Sequence, residues 1–331
     1  MARVKWITTA RIFGILGMGL LATVMQSATA AEQKIWRHGV LDAKGDAGFS
    51  YMIDQGFAEK QGLKLKVFSF KADTQLLQAL LAGELDSFEG SPGNDIMAAA
   101  RGADVKIIGC TWPGLPHVIL ANGLTSVQDI KGKNVAVGPV GSLPDLLVRI
   151  LLKQNNIPVN AVHLASIGND VERYKALVAH VVDAAVVSNE FMPVMEKEGL
   201  SLLAAAHDFA PDFARLCVQS TGEILTTRPE EAAHFVAAEI ASLRYAISHR
   251  NETLALTRKL THEKEDDPRA AYIFDWAVKT HSLDPEVGIP VDKLDYIQRQ
   301  LVATGNLSKP FDINKMVDVS IREKALKLLE N

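Results

Sequence analysis

Cysteine is nearly absent from this chain of 331 residues, which contains two, Cys110 and Cys217. A small disulfide-stapled scaffold is thereby excluded, and no Cys/His cluster has the spacing of a zinc site. The nine histidines are scattered singly. No G-x-x-x-x-G-K phosphate loop and no nucleophile–base arrangement is present, so the sequence implies no catalytic residue, no metal and no cofactor. Positive charge is also scarce, with a formal net charge of −4. That balance disfavours nucleic acid and anionic membrane as partners. Both cysteines lie in apolar, strand-like stretches, where they either pair or persist as buried thiols; the sequence leaves the two states open.

Long hydrophobic runs are lacking too. The one at residues 12–25 is short for a membrane span, follows Arg3, Lys5 and Arg11, and precedes Ala28-Thr29-Ala30. A basic start, an apolar stretch and small residues predict a secretory signal peptide over 1–30, cut after Ala30, with the mature protein exported to the periplasm. No cysteine follows the cut to carry a lipid. Removal takes three bases and no acid, shifting the formal charge from −4 to −7. Apolar residues make up 48% of the chain, enough for two cores in a soluble protein.

The mature chain alternates strands and helices. Strands are predicted at 34–41, 63–70, 85–89 and 105–110, separated by helices at 51–61, 74–81 and 94–101. Asp73 is placed as a helix cap. A second run places strands at 117–121, 134–137, 161–167, 183–187 and 201–206, with helices starting near Ser142, Asp170 and Glu190. The stretch 131–147 is the clearest instance of this grammar: an apolar strand, a glycine loop, then Ser142, Pro144 and Asp145 opening a helix. A helix start of that kind presents backbone N–H groups to a ligand. After a strand-like segment at 215–225, the chain from 229 onward reads as helices. Strand–helix alternation predicts an α/β fold with parallel sheets whose strand-end loops carry the site. Two such units facing each other place their loops across one cleft, a common location for a small-molecule site.

ALLAGELD at 79–86, RGADVKIIG at 101–109, TSVQDIKGKNVAV at 125–137 and ALVAHVVDAAVV at 176–187, taken in order, resemble the periplasmic substrate-binding proteins of the nitrate, taurine and alkanesulfonate class of ABC importers. The thiamine-pyrimidine-precursor binding proteins are similar as well. The resemblance covers about residues 33–330. It implies a type II periplasmic-binding-protein fold of two α/β lobes closing over one small molecule. Lobe 1 would comprise 31–118 and 211–331 and lobe 2 would comprise 119–210, with crossovers near 116–123 and 205–215. The implied function is capture of a small organic solute by a monomeric receptor and its delivery to an ABC permease in the inner membrane. Alternatives are an enzyme of pyrimidine-precursor type on the same scaffold, or a ligand sensor for a membrane partner.

By position, the family's contact loops fall on Asp46, Ala47, Asp73, Glu89, Gly90, Ser91, Gly141, Ser142, Asn169, Asn189 and Glu190. Glu89 reads either as a ligand group or as an ion-pair partner. Trp112, read as lying in a loop, is either an aromatic wall for a flat ligand or interlobe packing. The expected mouth carries Asp46, Glu89 and Glu190 and shows no Arg or Lys. On that basis a neutral or cationic ligand is expected over an oxyanion.

Overall fold

The computed structural model describes residues 35–330; the predicted signal peptide and its cut after Ala30 lie outside the described residues. Among them, ten strands form two five-stranded sheets. The first runs, in spatial order, β2 (Leu65–Phe70), β1 (Trp36–Leu41), β3 (Ser87–Gly90), β10 (Leu216–Ser220) and β4 (Lys106–Trp112). The second runs β7 (His163–Ser166), β6 (Asn134–Val137), β8 (Ala184–Ser188), β5 (His117–Asn122) and β9 (Leu200–Ala205).

Both sheets are mixed, a correction to the purely parallel expectation. β10 lies antiparallel between β3 and β4, and β5 lies antiparallel between β8 and β9. The chain passes from one sheet to the other twice, from β4 into β5 and from β9 towards β10. A strand arriving from the opposite sheet enters from the other end, so its direction is reversed relative to the helix-connected strands. Those helix-connected neighbours pair parallel.

The predicted helix at 51–61 is broken into α1 (Ala47–Tyr51), a 3-10 turn and α2 (Phe57–Lys60). Gly56, at φ +88°, supplies the left-handed residue at the break. α3 (Asp73–Leu81) begins one residue earlier than predicted, with Ala72 at the cap position. Asp73 is therefore not the cap; its carboxylate accepts the Ser91 N–H at 2.8 Å. α4 (Gly93–Ala99) follows β3. α5 (Leu143–Gln154) opens at Ser142 and buries Leu143, Leu146, Leu147, Ile150 and Leu151, a stripe at helical spacing. α6 (Asp170–Val178) starts with a capping box in which Asn169 Oδ1 accepts the Glu172 N–H at 3.0 Å. The predicted helix at 190–198 is only α7 (Met192–Met195) between two 3-10 turns.

After α8 (Ala206–Phe209) and β10, α9 (Gly222–Thr227) leads into α10 (Pro229–Ser248), α11 (Arg250–Thr261), α12 (Arg269–Lys279), α13 (Val291–Ala303) and α14 (Ser320–Leu329). Phe235 and Ile240 of α10, Leu254 of α11, Ile273 of α12 and Ile321 of α14 share a core with Trp36, Ile108 and Val218 of the first sheet. α13 packs elsewhere, its Leu294, Ile297 and Leu301 joining a core that spans Ile107 of β4 and Val135 of β6. The two cysteines pair: Cys110 of β4 and Cys217 of β10 form a fully buried disulfide. Trp112 ends β4 and is buried, so it does not stand in a loop.

Candidate functional site

The strand-end loops of both sheets meet at one cavity of about 70 Å³. Asp73, Ser91, Ser142 and Asn169 line it as the sequence suggested. Asp46, Ala47 and Glu89 line a smaller adjoining cavity that shares Lys44 and Arg215 with the first. Gly90, Trp112, Gly141, Asn189 and Glu190 line neither.

The expectation of a mouth without Arg or Lys is overturned. Lys44, Lys71, Arg173 and Arg215 all border the cavity. Lys44, in the turn between β1 and α1, forms an ion pair with Asp170 at the start of α6. Arg173, one turn into α6, donates to the carbonyls of Val186 and Gly168, each at 2.6 Å, and to Asp170. That fork ties the Gly168–Asp170 loop to β8, so Asn169 and Asp170 are held by a rigid support. Arg215, just before β10, pairs with Asp46 and lies over the Trp112 ring at 4.2 Å. Phe49 meets the same ring edge-on at 5.6 Å. Trp112 thus acts as the platform beneath Arg215 rather than as a wall of the cavity.

Burial sets the protonation of the groups here. Burial alone raises the Asp170 carboxyl, but the charges of Lys44 and Arg173 outweigh it and hold the acid far below its ordinary value. Burial drives the His117 imidazole well below its usual range, so it stands neutral 3.9 Å from Asp170. Asp73 and Glu89 are both raised by burial, against the donors Ser91 N–H and Thr111 O–H respectively.

Five buried polar atoms on residues lining the cavity have no partner among the described residues: Ser91 Oγ, Asn94 Nδ2, His117 Nδ1, Ser142 Oγ and one terminal nitrogen of Arg215. Ser91 follows β3 and Asn94 lies in the first turn of α4, His117 opens β5 and Ser142 precedes α5, and Arg215 stands on the returning crossover. Unpartnered buried polar atoms are rare, and five on residues that line one space mark it as the candidate site. Sequence reasoning missed Lys44, Asn94, His117, Arg173 and Arg215. Lys44, two residues from Asp46, and Asn94, three from Ser91, lie within reach of the loop argument; Arg215 does not.

The comparisons with known proteins now have a geometry to join. Residues 46–253 match the NMT1/THI5 like family. The chain belongs to that family. A curated relative, a membrane-bound lytic murein transglycosylase F of Pseudomonas putida (strain GB-1), is 30% identical over 174 residues, 46% of this chain. The match spans 33%, about a third, of that relative's length. Among solved structures, the alkanesulfonate-binding protein SsuA of Xanthomonas axonopodis pv. citri, bound to MOPS, is similar at TM-score 0.73 and 19% identity over 88% of this chain and 100% of that one. The periplasmic aliphatic sulphonate binding protein SsuA of Escherichia coli is similar at TM-score 0.69 and 19% identity, covering 86% and 92% of the two chains. The NMT1/THI5-like chain therefore has the fold of periplasmic binding proteins, two α/β sheets with their helices. Among the described residues no helix is long and apolar enough to cross a membrane.

Proposed function

We propose that this NMT1/THI5-like protein is a solute-binding receptor that closes two lobes over a small organic molecule and presents it to an ABC permease. The observation that carries this reading is one cavity lined from both sheets and the crossover by five residues that each hold an unpartnered buried polar atom. The lobes are taken as 31–118 with 211–331, and 119–210. The fold shared with ABC-import binding proteins supports the role, and the buried disulfide fits an oxidising compartment such as the periplasm. Export by the signal peptide, action as a monomer and absence of catalysis belong to the same proposal.

The ligand is read from the donors. Arg215 offers a charged N–H that only an acceptor can satisfy, and Ser91, Ser142 and Asn94 add neutral donors. The favoured solute is a small organic molecule presenting acceptor oxygens to that group. This replaces the preference for a neutral or cationic ligand, which rested on a mouth without cations. Native mass spectrometry of gently purified protein, followed by a thermal-shift screen, tests it. A retained or stabilising carboxylate, sulfonate or similar acceptor-bearing solute supports the reading. A screen of oxyanions, sulfonates, carboxylates, heterocycles and amines in which nothing shifts the melting temperature overturns it.

A further inference from the structure

Two consecutive residues of the turn between β1 and α1, Lys44 and Gly45, reach across from the first sheet, and the next, Asp46, is held from its own side. Lys44 pairs with Asp170 of α6, the Gly45 N–H donates to Glu190 Oε2 at 2.7 Å, and Asp46 pairs with Arg215 of the returning crossover. Glu190 follows β8 of the second sheet and is buried. Its carboxylate fits against the turn because residue 45 has no side chain; a Cβ there would sit 2.4 Å from Oε2.

Among the described residues, the cations near Glu190 are engaged by other acids. The groups facing it are Asp46 and Lys44 of the turn, Asp170 of α6, Glu263 before α12 and Arg269 on α12. Lys44 is engaged by Asp170, and Arg269 by Asp267 and Glu263. Glu190 Oε1 is buried without a partner. A charged carboxylate so placed, with three other acids around it, is unfavourable.

We propose that the Lys44-Gly45-Asp46 turn is the latch of the closed cleft and that Glu190 docks into it as the neutral acid, so that closing takes up a proton. The proposal rests on reading the cleft as one that opens and closes around a solute, and adds proton control to it. Burial, then the neighbouring Asp46, raises the docked acid from its ordinary 4.5 to about 8. Undocked and in water, the group returns to the ordinary value. The closed form therefore holds one more proton than the open form between those limits, and closure weakens as pH rises. His117 works in the opposite sense. Burial keeps it neutral in the closed form, so closing expels its proton below its ordinary 6.5 and cancels the Glu190 uptake there. The net dependence falls between about 6.5 and 8, and reaches at most tenfold in the closed-to-open ratio per pH unit.

The experiment needs no solute. Cysteines introduced at Leu81 and Val181, exposed positions on the two lobes, carry spin labels, and their distance distribution is recorded from pH 5 to 9. The native disulfide stays intact. The wild type is expected to lose its short-distance population between pH 6.5 and 8, while Glu190→Gln keeps it throughout. A wild type without this change, or a Glu190→Gln variant with the same change, overturns the proposal. Should Glu190→Gln fail to fold, carbon-detected titration of the wild-type Glu190 carboxyl decides instead: a value near 8 supports the latch and one near 4.5 refutes it. A failed solute screen would leave either result standing, so the two readings fail separately.

Discussion

The Lys44 ammonium and the Asp170 carboxylate, 126 residues apart in the chain, form an ion pair that joins the first sheet's leading turn to the start of α6 across the cavity. Both side chains are largely buried, at 11% and 5% exposure. The pair is thus a structural tie as well as a boundary of the site.

Removing one partner leaves the other charge buried. Asp170→Asn strands both Lys44 and Arg173, and is expected to destabilise the fold by about 3–5 kcal/mol in urea unfolding at neutral pH. Lys44→Met leaves Asp170 with Arg173, so its effect should be smaller. The double variant should recover part of the Asp170→Asn loss; simple additivity would show that the two do not interact. Asp170 has its acid strength increased by folding, so the stability it contributes is present above pH 3.8 and fades as pH falls below that value.

Ser91 and Ser142 have hydroxyls that satisfy nothing within the protein. Ser91→Ala and Ser142→Ala should leave the melting temperature of the ligand-free protein unchanged or slightly raised, since an unpaired polar group is removed. Affinity for any solute found in the screen should fall about fivefold per substitution, roughly 1 kcal/mol each, as read by isothermal titration calorimetry. Intact affinity in both would place the ligand elsewhere.

The Cys110–Cys217 bridge closes a separation of 107 residues between strands that lead into and out of the second sheet. Replacing both by alanine is expected to lower stability by ~2–4 kcal/mol, with the melting temperature dropping by several degrees. Because both sulfurs are fully buried, the native protein should resist mild reductant until it is partly unfolded. Rapid thiol release in native buffer would contradict that burial.

A second buried pair sits behind the first sheet, where His38 Nε2 lies 3.7 Å from Glu239 Oε1 and His38 Nδ1 is 2.8 Å from Ser87 Oγ. Burial lowers His38 to about 3, and burial followed by the charge of Glu89 raises Glu239 well above 4.5, so the two meet as neutral groups. The signs differ in consequence. His38 contributes stability above pH 6.5 that is lost as pH falls towards 3, whereas Glu239 contributes stability below 4.5 that is lost as pH rises. Unfolding free energies from pH 4 to 9 should therefore decline on both sides. Glu239→Gln should lessen the alkaline decline, to which Glu190 also contributes, and steepen the loss below pH 6.5, to which His117 also contributes.

Much of the architecture was legible. The predicted strand at 134–137 coincides with β6, and Ser142 stands at the start of α5, because local alternation and start signals fix such elements. The helix at 51–61 was misread because its apolar spacing outweighed Gly56, which the backbone uses at positive φ. Trp112 was misplaced because β4 runs two residues beyond its apolar core into the crossover. Asp73, Ser91, Ser142 and Asn169, read from the strand-end loops, line the cavity.

By itself, the sequence determined the α/β alternation, the position of the strand-end loops and the family, all of which rest on periodicity and short motifs within a few residues. The tertiary structure alone decided that Cys110 meets Cys217, that β10 enters the first sheet antiparallel, and that Lys44, Lys71, Arg173 and Arg215 bring positive charge to the mouth. Arg215 and Asp46 are 169 residues apart. No local pattern encodes such a pairing, because its energy arises only when folding removes both charges from water and places them side by side.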